Sequence, residues 1–250
     1  MSAAPDLAAL TAALEATWPP ASATRLGPFT LREGAGGGSR VSAATAEAAA
    51  GPDDIAAATA AMRAAGTPPL FRLRPELCPW DATLDAALEA SGHLRHDPTV
   101  FYAAPVAALA PEPLPRLRAF AIWPPLAIQR DLWAEAGIGP ARLAVMARAA
   151  EPRAALLARE ADRVAGTAFV ALHGPLAMLH AMEVTPGLRR RGAARNMMRR
   201  AAEWAARAGA HWLALAVTEA NAPARSLYEA LGMRACGGYH YRRAPEETAP

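Results

Sequence analysis

From Val164 to Met182 the chain runs for 19 residues without an Asp, Glu or Arg, and it contains no Lys anywhere. A stretch like this can cross a bilayer as a helix, which takes about 20 apolar residues, or it can form buried β-strands. His173-Gly174-Pro175 stands at its centre. Those three residues together at mid-bilayer would put a polar ring and an interrupted backbone into hydrocarbon. Two strands joined by a tight turn accommodate the same residues without that penalty. The run therefore predicts strands at Val164–Leu172 and Ala177–Val184.

Around this hairpin, helix and strand signals alternate. Pro5, Asp6, Leu7, Leu10 and Leu14 read as the start of an amphipathic helix. Strand-like runs follow at Arg25–Glu33 and Arg40–Ala44, then a helix at Asp53–Ala65, a strand at Leu70–Arg74, a helix at Asp81–Ala90 and a strand at Thr99–Ala103. Pro111-Glu112-Pro113-Leu114-Pro115 then interrupts the chain, and prolines, with φ fixed and no N–H, suit a stiff linker. Beyond it the reading is a strand at Ala119–Trp123, helical sequence to about Ala150, a strand at Ala154–Glu160 and then the hairpin. A helix at Ala194–Ala208, a strand at Trp212–Val217, a helix at Ala222–Leu231 and a strand at Gly238–Arg242 complete the order. Gly66, Gly92, Gly209 and Gly232 stand just past the ends of four of these helices.

The order repeats in part. Ala61-Met62-Arg63-Ala64-Ala65-Gly66 before Leu70 parallels Ala205-Ala206-Arg207-Ala208-Gly209 before Trp212, and Leu88-Glu89-Ala90-Ser91-Gly92 parallels Tyr228-Glu229-Ala230-Leu231-Gly232. Ala-rich helices look alike by composition, but the matching order of elements argues for an internal duplication. The expected organisation is a domain over 1–110, a linker over 111–115 and a second domain over 116–250.

Of the 250 residues 53 % are apolar and 20 % charged, which excludes a disordered or fibrous chain. The 26 Arg against 23 acidic residues leave a formal charge of +3, too slight to imply a nucleic-acid partner. Cys78 and Cys236 build neither a disulfide framework nor a zinc site by themselves, and His93 and His96 lack acidic or thiol partners, so no metal is expected and the two His read as a surface loop. Residues 1–20 carry Asp6 and Glu15 and no base, unlike a secretory leader. The expectation is a soluble, cytoplasmic protein without a membrane partner.

The segment Glu183-Val184-Thr185-Pro186-Gly187-Leu188-Arg189-Arg190-Arg191-Gly192-Ala193-Ala194-Arg195 joins the end of a strand to the start of a helix. The first N–H groups of a helix lack intrahelical partners, and with the positive end of the dipole they attract anions. Gly192, Ala193 and Ala194 are small enough to admit a phosphate to the backbone, and Arg189, Arg190 and Arg191 add charge. Arg195, Arg199 and Arg200 are expected to extend that patch.

Arg189-Arg190-Arg191-Gly192-Ala193-Ala194 resembles the [QR]-x-x-G-x-[GA] signature of the GNAT N-acetyltransferase superfamily, with Ala in the last position. Asn221 followed by Leu227-Tyr228-Glu229-Ala230-Leu231-Gly232-Met233 resembles that family's second signature. The resemblance covers roughly 116–243. It implies an α/β fold with a mixed, mostly antiparallel sheet flanked by helices, here as two GNAT-like halves. The first half has Ala48-Ala49-Ala50-Gly51-Pro52 where the phosphate loop should lie and Leu88 where Tyr228 stands, so it is expected to bind no cofactor.

The resemblance further implies acetyl-CoA between two splayed parallel strands, its pantetheine arm on backbone around Met182 and Val184 and near Asn221, and its pyrophosphate on the loop from Arg189 to Ala194. A strand N–H near Met182 would serve the oxyanion, and Tyr228 would protonate the leaving thiolate. For the general base three choices stand: His180, Glu183 or water. Strand alternation places His180 and Glu183 on opposite faces. Family members that acetylate ribosomal-protein alanine use a Glu in the following strand, where this chain has Ala216. The implied reaction is N-acetylation of a primary amine of a small molecule or peptide; the alternative is a non-catalytic acyl-CoA-binding or interaction module.

Overall fold

The computed structural model describes residues 3–115 and 117–245. Positions 1–2, 116 and 246–250, at the edges of the expected domain ranges, lie outside the described residues. The elements in chain order are α1 (Leu7–Thr17), β1 (Ser22–Leu26), β2 (Phe29–Glu33), α2 (Ser39–Ser42), β3 (Thr45–Ala46), α3 (Pro52–Ala64), β4 (Leu70–Leu73), α4 (Pro79–Ala90), β5 (Leu94–Pro105), α5 (Val106–Leu109), β6 (Ala119–Ile122), α6 (Ala127–Glu135), α7 (Pro140–Arg148), β7 (Arg153–Glu160), β8 (Arg163–His173), β9 (Leu176–Val184), α8 (Ala193–Arg207), β10 (Trp212–Thr218), α9 (Ala222–Ala230) and β11 (Arg234–Arg243). Among the described residues no helix is long and apolar enough to cross a membrane.

The uncharged run is the expected hairpin. Strands β8 and β9 pair antiparallel from His173↔Leu176 back to Gly166↔Val184, and Gly174 supplies the positive φ of +55° that primed hairpin turns require. Three other readings change. Arg25–Glu33 is not one strand but a hairpin folded at Gly27-Pro28, with Leu26 paired to Phe29. Arg40–Ala44 is not a strand; Ser39–Ser42 closes one helical turn, with the Ser42 hydroxyl donating to Gly38 O, and the strand begins at Thr45. The helical sequence to Ala150 divides into α6 and α7, separated by a turn at Gly137, whose φ of +76° a helix cannot carry.

The chain forms two compact units. Unit 1 comprises residues up to Pro19, 101–217 and 221–236; unit 2 comprises 20–100, 218–220 and 237 onward. The Pro-rich stretch 111–115 lies within the first. In unit 1 the strands run β5–β10–β9–β8–β7–β6, with residues 101–105 representing β5. Helix α8 packs on β6 to β9 through Ala193, Met197, Met198, Ala201, Ala202 and Ala205, the 3–4 residue spacing of a single helix face. Helix α1 packs on β8 and β9. Its start signal is the expected one, since Asp6 Oδ1 accepts from Ala9 N at 2.8 Å.

Unit 2 holds the antiparallel sheet β1–β2–β3 and the set β4–β11–β5, with residues 237–243 and 94–100 of the last two. Ala44 bridges Phe71 in parallel ahead of β3, and α3 connects that strand to β4, a short version of the β9–α8–β10 arrangement of unit 1. Its core joins Phe29, Phe71, Leu73, Leu84 and Leu88. His93 is buried there, with its ring 5.7 Å from that of Phe71, so the surface-loop reading of His93 is corrected.

Candidate functional site

Strands β9 and β10 run parallel, and their ladder is short. It begins at Leu176↔Trp212 and ends at Leu179↔Leu215, although β9 continues to Val184 and β10 to Thr218. On its other edge β9 stays paired with β8 as far as Val184. The end of β9 thus has one edge in a sheet and one edge beyond its parallel ladder, which is the splay expected of strands that receive an extended ligand.

The pairing of β8 with β9 slips within this region. Thr167 faces Glu183 and Phe169 faces His180, so two steps on β8 match three on β9. The surplus residue is a bulge, with Ala181 at φ +49°. Residues opposite one another in an antiparallel pair share a face, and Thr167 and Phe169, two apart, share one as well. His180 and Glu183 therefore lie on the same face, which overturns the alternation expectation. The bulge is pinned from α6, where Trp133 Nε1 donates to Ala181 O at 2.8 Å. A Cβ on Gly166 would come within 2.5 Å of Glu183 O, so glycine is needed opposite this kink.

The two carboxylate and imidazole candidates have different surroundings. His180 is 3 % exposed, stacks on Trp18 at 5.0 Å between ring centroids, and has Nε2 2.8 Å from Thr17 Oγ1. The single Thr17 hydroxyl hydrogen goes to Ala13 O at 2.6 Å, so Nε2 carries the proton and donates to Thr17. Glu183 is half-buried; burial pushes its carboxyl above the ordinary carboxylate range, while Arg189 and then Arg142 pull it back in part. Met182 and Val184 are half-buried beside it.

The loop after β9 makes a turn of 3₁₀ helix at Pro186–Leu188 and then passes through two left-handed residues, Arg190 at φ +61° and Gly192 at φ +90°. Gly192 is the N-cap of α8, and the first α-helical bond is Asn196 N to Gly192 O, so the N–H groups of Ala193, Ala194 and Arg195 precede the ladder. Among the described residues, apart from its chain neighbours and its own helix backbone, no atom lies within 4 Å of where a Gly192 Cβ would stand. Arg189, Arg190, Arg191 and Arg195 are exposed, and Arg189 Nε donates to Val184 O at 3.3 Å. Arg199 and Arg200 do not extend the cationic patch: they donate to Glu112 O and Ala119 O at 2.9 Å each, and Arg200 also pairs with Glu203.

Asn221 caps α9, its Oδ1 accepting from Ala224 N at 3.2 Å. Tyr228 lies one face along that helix, 5 % exposed, with its ring 5.8 Å from that of Tyr102. The Tyr102 hydroxyl donates to Glu229 Oε1 at 2.6 Å and accepts from Arg225 Nε at 3.3 Å, fixing the helix turn that carries Tyr228. Sequence reasoning missed Tyr102, which precedes the Pro-rich stretch, and Arg142, which belongs to no motif.

In unit 2 the start of α3 is built differently. Pro52 occupies its first turn, Asp53 and Asp54 follow, and Asp54 Oδ2 accepts from Gly51 N at 2.9 Å. The helix's own carboxylates meet its positive end.

Residues 119–233, which contain β6 to α9, match the family model "Acetyltransferase (GNAT) family". This stretch is a GNAT acetyltransferase domain. The GNAT fold extends over the whole chain in solved structures. A GCN5-related N-acetyltransferase from Kribbella flavida is similar with a TM-score of 0.73 at 19 % identity, covering 97 % of each chain. A functionally unknown conserved protein from Staphylococcus epidermidis gives 0.64 at 10 %, covering 88 % of this chain and 91 % of its own. A tandem GNAT protein from the clavulanic acid biosynthesis pathway gives 0.58 at 14 %, covering 97 % and 89 %. No curated protein matches by sequence. Among the described residues, no group of three or more His, Cys, Asp or Glu could hold a metal ion.

Proposed function

We propose that the protein is an acetyl-CoA-dependent N-acetyltransferase acting on a primary amine of a small molecule or peptide. The observation that carries this reading is the parallel pair β9/β10, whose ladder stops at Leu179↔Leu215 and which leads straight into the left-handed loop at Arg190 and Gly192. Open space above Gly192 and the N–H groups that precede the α8 ladder fit a pyrophosphate. Arg189, Arg190 and Arg191 add charge to that cradle, and Ala193 and Ala194 keep it free of bulk. Met182 and Val184 offer backbone to the pantetheine amides, and Asn221 offers its amide NH₂.

Acetyl-CoA supplies the activated acyl group as a thioester. Glu183 takes a proton from the ammonium of the acceptor, so that the free amine attacks the carbonyl carbon. A backbone N–H at Met182 donates to the oxygen that gains charge. As the new C–N bond forms and the C–S bond breaks, Tyr228 gives its proton to the departing sulfur, and the second proton that the nitrogen loses as the amide forms returns the Tyr228 phenolate to its neutral state. Glu183 is favoured over His180 as base because its carboxylate is half-buried rather than enclosed, whereas His180 Nε2 is engaged with Thr17.

The acidic first turn of α3 supports the reading that unit 2 binds no acetyl-CoA. A reducing cytoplasm suits Cys78 and Cys236, both free thiols. Titration calorimetry with acetyl-CoA should give one site per chain, and amines should release free coenzyme A from the mixture. Two equivalent sites would overturn the assignment of unit 2, and binding without release by any amine would favour a non-catalytic acyl-CoA module.

A further inference from the structure

We infer that Tyr102 is a positioning residue for the transfer step: its hydroxyl holds α9 in the orientation that brings Tyr228 to the departing sulfur. The inference rests on the reading above, in which Tyr228 supplies the proton.

Burial alone leaves the rotation of α9 weakly defined. The helix has 9 residues, and Tyr228 is the buried one. A helix so short is marginal by itself and takes its orientation from its tertiary partners. Tyr102 stands on β5, 1 % exposed, and β5 is bonded to β10 within the sheet. Its ring lies 5.8 Å from that of Tyr228, tilted by 49°. Its hydroxyl accepts from Arg225 Nε at 3.3 Å and donates to Glu229 Oε1 at 2.6 Å. Arg225 and Glu229 are i, i+4 neighbours on the helix surface, and they bracket Tyr228 in the chain. One oxygen on a buried strand residue therefore fixes α9 at two points, while the same ring faces Tyr228. The single hydroxyl hydrogen of Tyr102 is committed to a carboxylate in a charge-assisted bond, so Tyr102 acts through Tyr228 and not as a second acid.

The other half of the chain makes the same tie with different chemistry. The step along the sequence that takes Leu88 to Tyr228 also takes Asp85 to Arg225, Glu89 to Glu229 and Tyr102 to Arg242. In unit 2 it is Arg242, on β11, that pairs with Asp85 at 2.6 Å and with Glu89 at 3.3 Å. One strand side chain again spans an i, i+4 pair on a helix. There the bracketed residue is Leu88, which packs in the apolar core. The tie belongs to both halves, and it bears on the reaction only where the bracketed residue is Tyr228.

Reacting groups tolerate little error in placement, and a shift of about 1 Å can cost about 10²-fold in rate. Tyr102→Phe keeps the ring and removes both bonds to α9. Followed by release of coenzyme A, its kcat should fall by about 10- to 100-fold, with acetyl-CoA affinity by calorimetry unchanged. In a Tyr228→Phe background the same substitution should lower kcat no further, because the group that it places is gone. A general loss of packing would lower kcat in both backgrounds alike. Glu229→Gln still offers Tyr102 an oxygen and should keep most of the rate, whereas Glu229→Ala should match Tyr102→Phe. Glu229 is exposed, so its alanine variant carries the same cycle if Tyr102→Phe does not fold. Asp85→Asn, which breaks the tie of unit 2, should lower the melting temperature and leave kcat unchanged. Unchanged kcat in Tyr102→Phe, an equal fall in both backgrounds, or an equal fall with Asp85→Asn would overturn the inference and leave Tyr228 as the acid. Full kcat in Tyr228→Phe, or no release of coenzyme A with any amine, would overturn the reading and the inference together.

Discussion

His180 and Glu183 point from the same face of β9 because the bulge at Ala181 takes up one residue between them. The shared face sets them apart in function. His180 is enclosed by Trp18, Phe169 and Thr17, while Glu183 is only half covered.

Glu183→Gln should lower kcat/KM by roughly 10²–10⁴ and remove the acidic limb of the rate profile, the signature of a lost general base. Burial raises the Glu183 pKa in the fold, so its ionisation opposes folding: stability tied to this group is greatest at low pH and is lost as pH rises through the raised value. The glutamine variant should therefore melt at a higher temperature than the native protein at pH 7, and the gain should vanish below pH 4. His180→Ala should instead lower the melting temperature, since it empties a space stacked on Trp18, and should keep the acidic limb. A limb that disappears with His180 would return the base to the imidazole.

Gly192→Ala and Gly192→Glu separate backbone strain from charge. Both place a side chain on a residue at φ +90°, which costs about 1–2 kcal/mol. Only the glutamate adds a negative charge and bulk to the cradle. Calorimetry should find acetyl-CoA affinity reduced by at least about tenfold more in the glutamate variant than in the alanine variant. Similar affinities would remove the pyrophosphate from this loop.

Tyr228→Phe keeps the ring that faces Tyr102 at 5.8 Å and deletes only the hydroxyl. The expected result is a fall in kcat of roughly 10²–10⁴ with acetyl-CoA affinity unchanged. Full kcat would mean that the sulfur leaves without a proton from the protein.

Asp85 in unit 2 accepts from Arg242 Nε at 2.6 Å and from His240 Nε2 at 2.9 Å. Burial pushes its carboxyl up, but the bonds from Arg242 and then His240 outweigh burial and hold it below the ordinary range. A depressed carboxylate stabilises the fold above its unfolded pKa and ceases to do so as pH falls through the folded value. Asp85→Asn should cost about 1–3 kcal/mol at pH 7, because buried Arg242 then keeps only the exposed Glu89 carboxylate and the His93 carbonyl. Chemical denaturation at pH 7 and pH 3 should find the two proteins converging at the lower pH.

Much of the site was legible in local chemistry. The uncharged run with Gly174-Pro175 at its centre could hardly be anything but a hairpin, and Arg189 to Ala194 announced a strand–helix junction through residue size and charge. The bulge was not legible. A left-handed residue is usually betrayed by glycine, and here Ala181 adopts φ +49° because Trp133 and the β8 pairing hold it there. That one unseen residue reversed the face assigned to Glu183. Val41 and Ala43 alternate like a strand, but Ser42 bonds back to Gly38 and favours a turn. Arg199 and Arg200 looked like part of a charged patch because sequence gives no sign of the carbonyls of Glu112 and Ala119 that receive them.

Strands β5 and β11 each divide between the two units, one at residues 100 and 101 and the other at 236 and 237. The segment that pairs with Leu70–Leu73 is thus the last strand to be synthesised, although most of unit 2 is made before residue 101. A nascent chain halted anywhere before residue 237 exposes the edge of β4 without its partner, an invitation to misplaced pairing or chaperone capture. Completion of the unit that is translated first consequently waits for residues 237–243, and a nick within 111–115 yields two fragments that can each be completed only by the other.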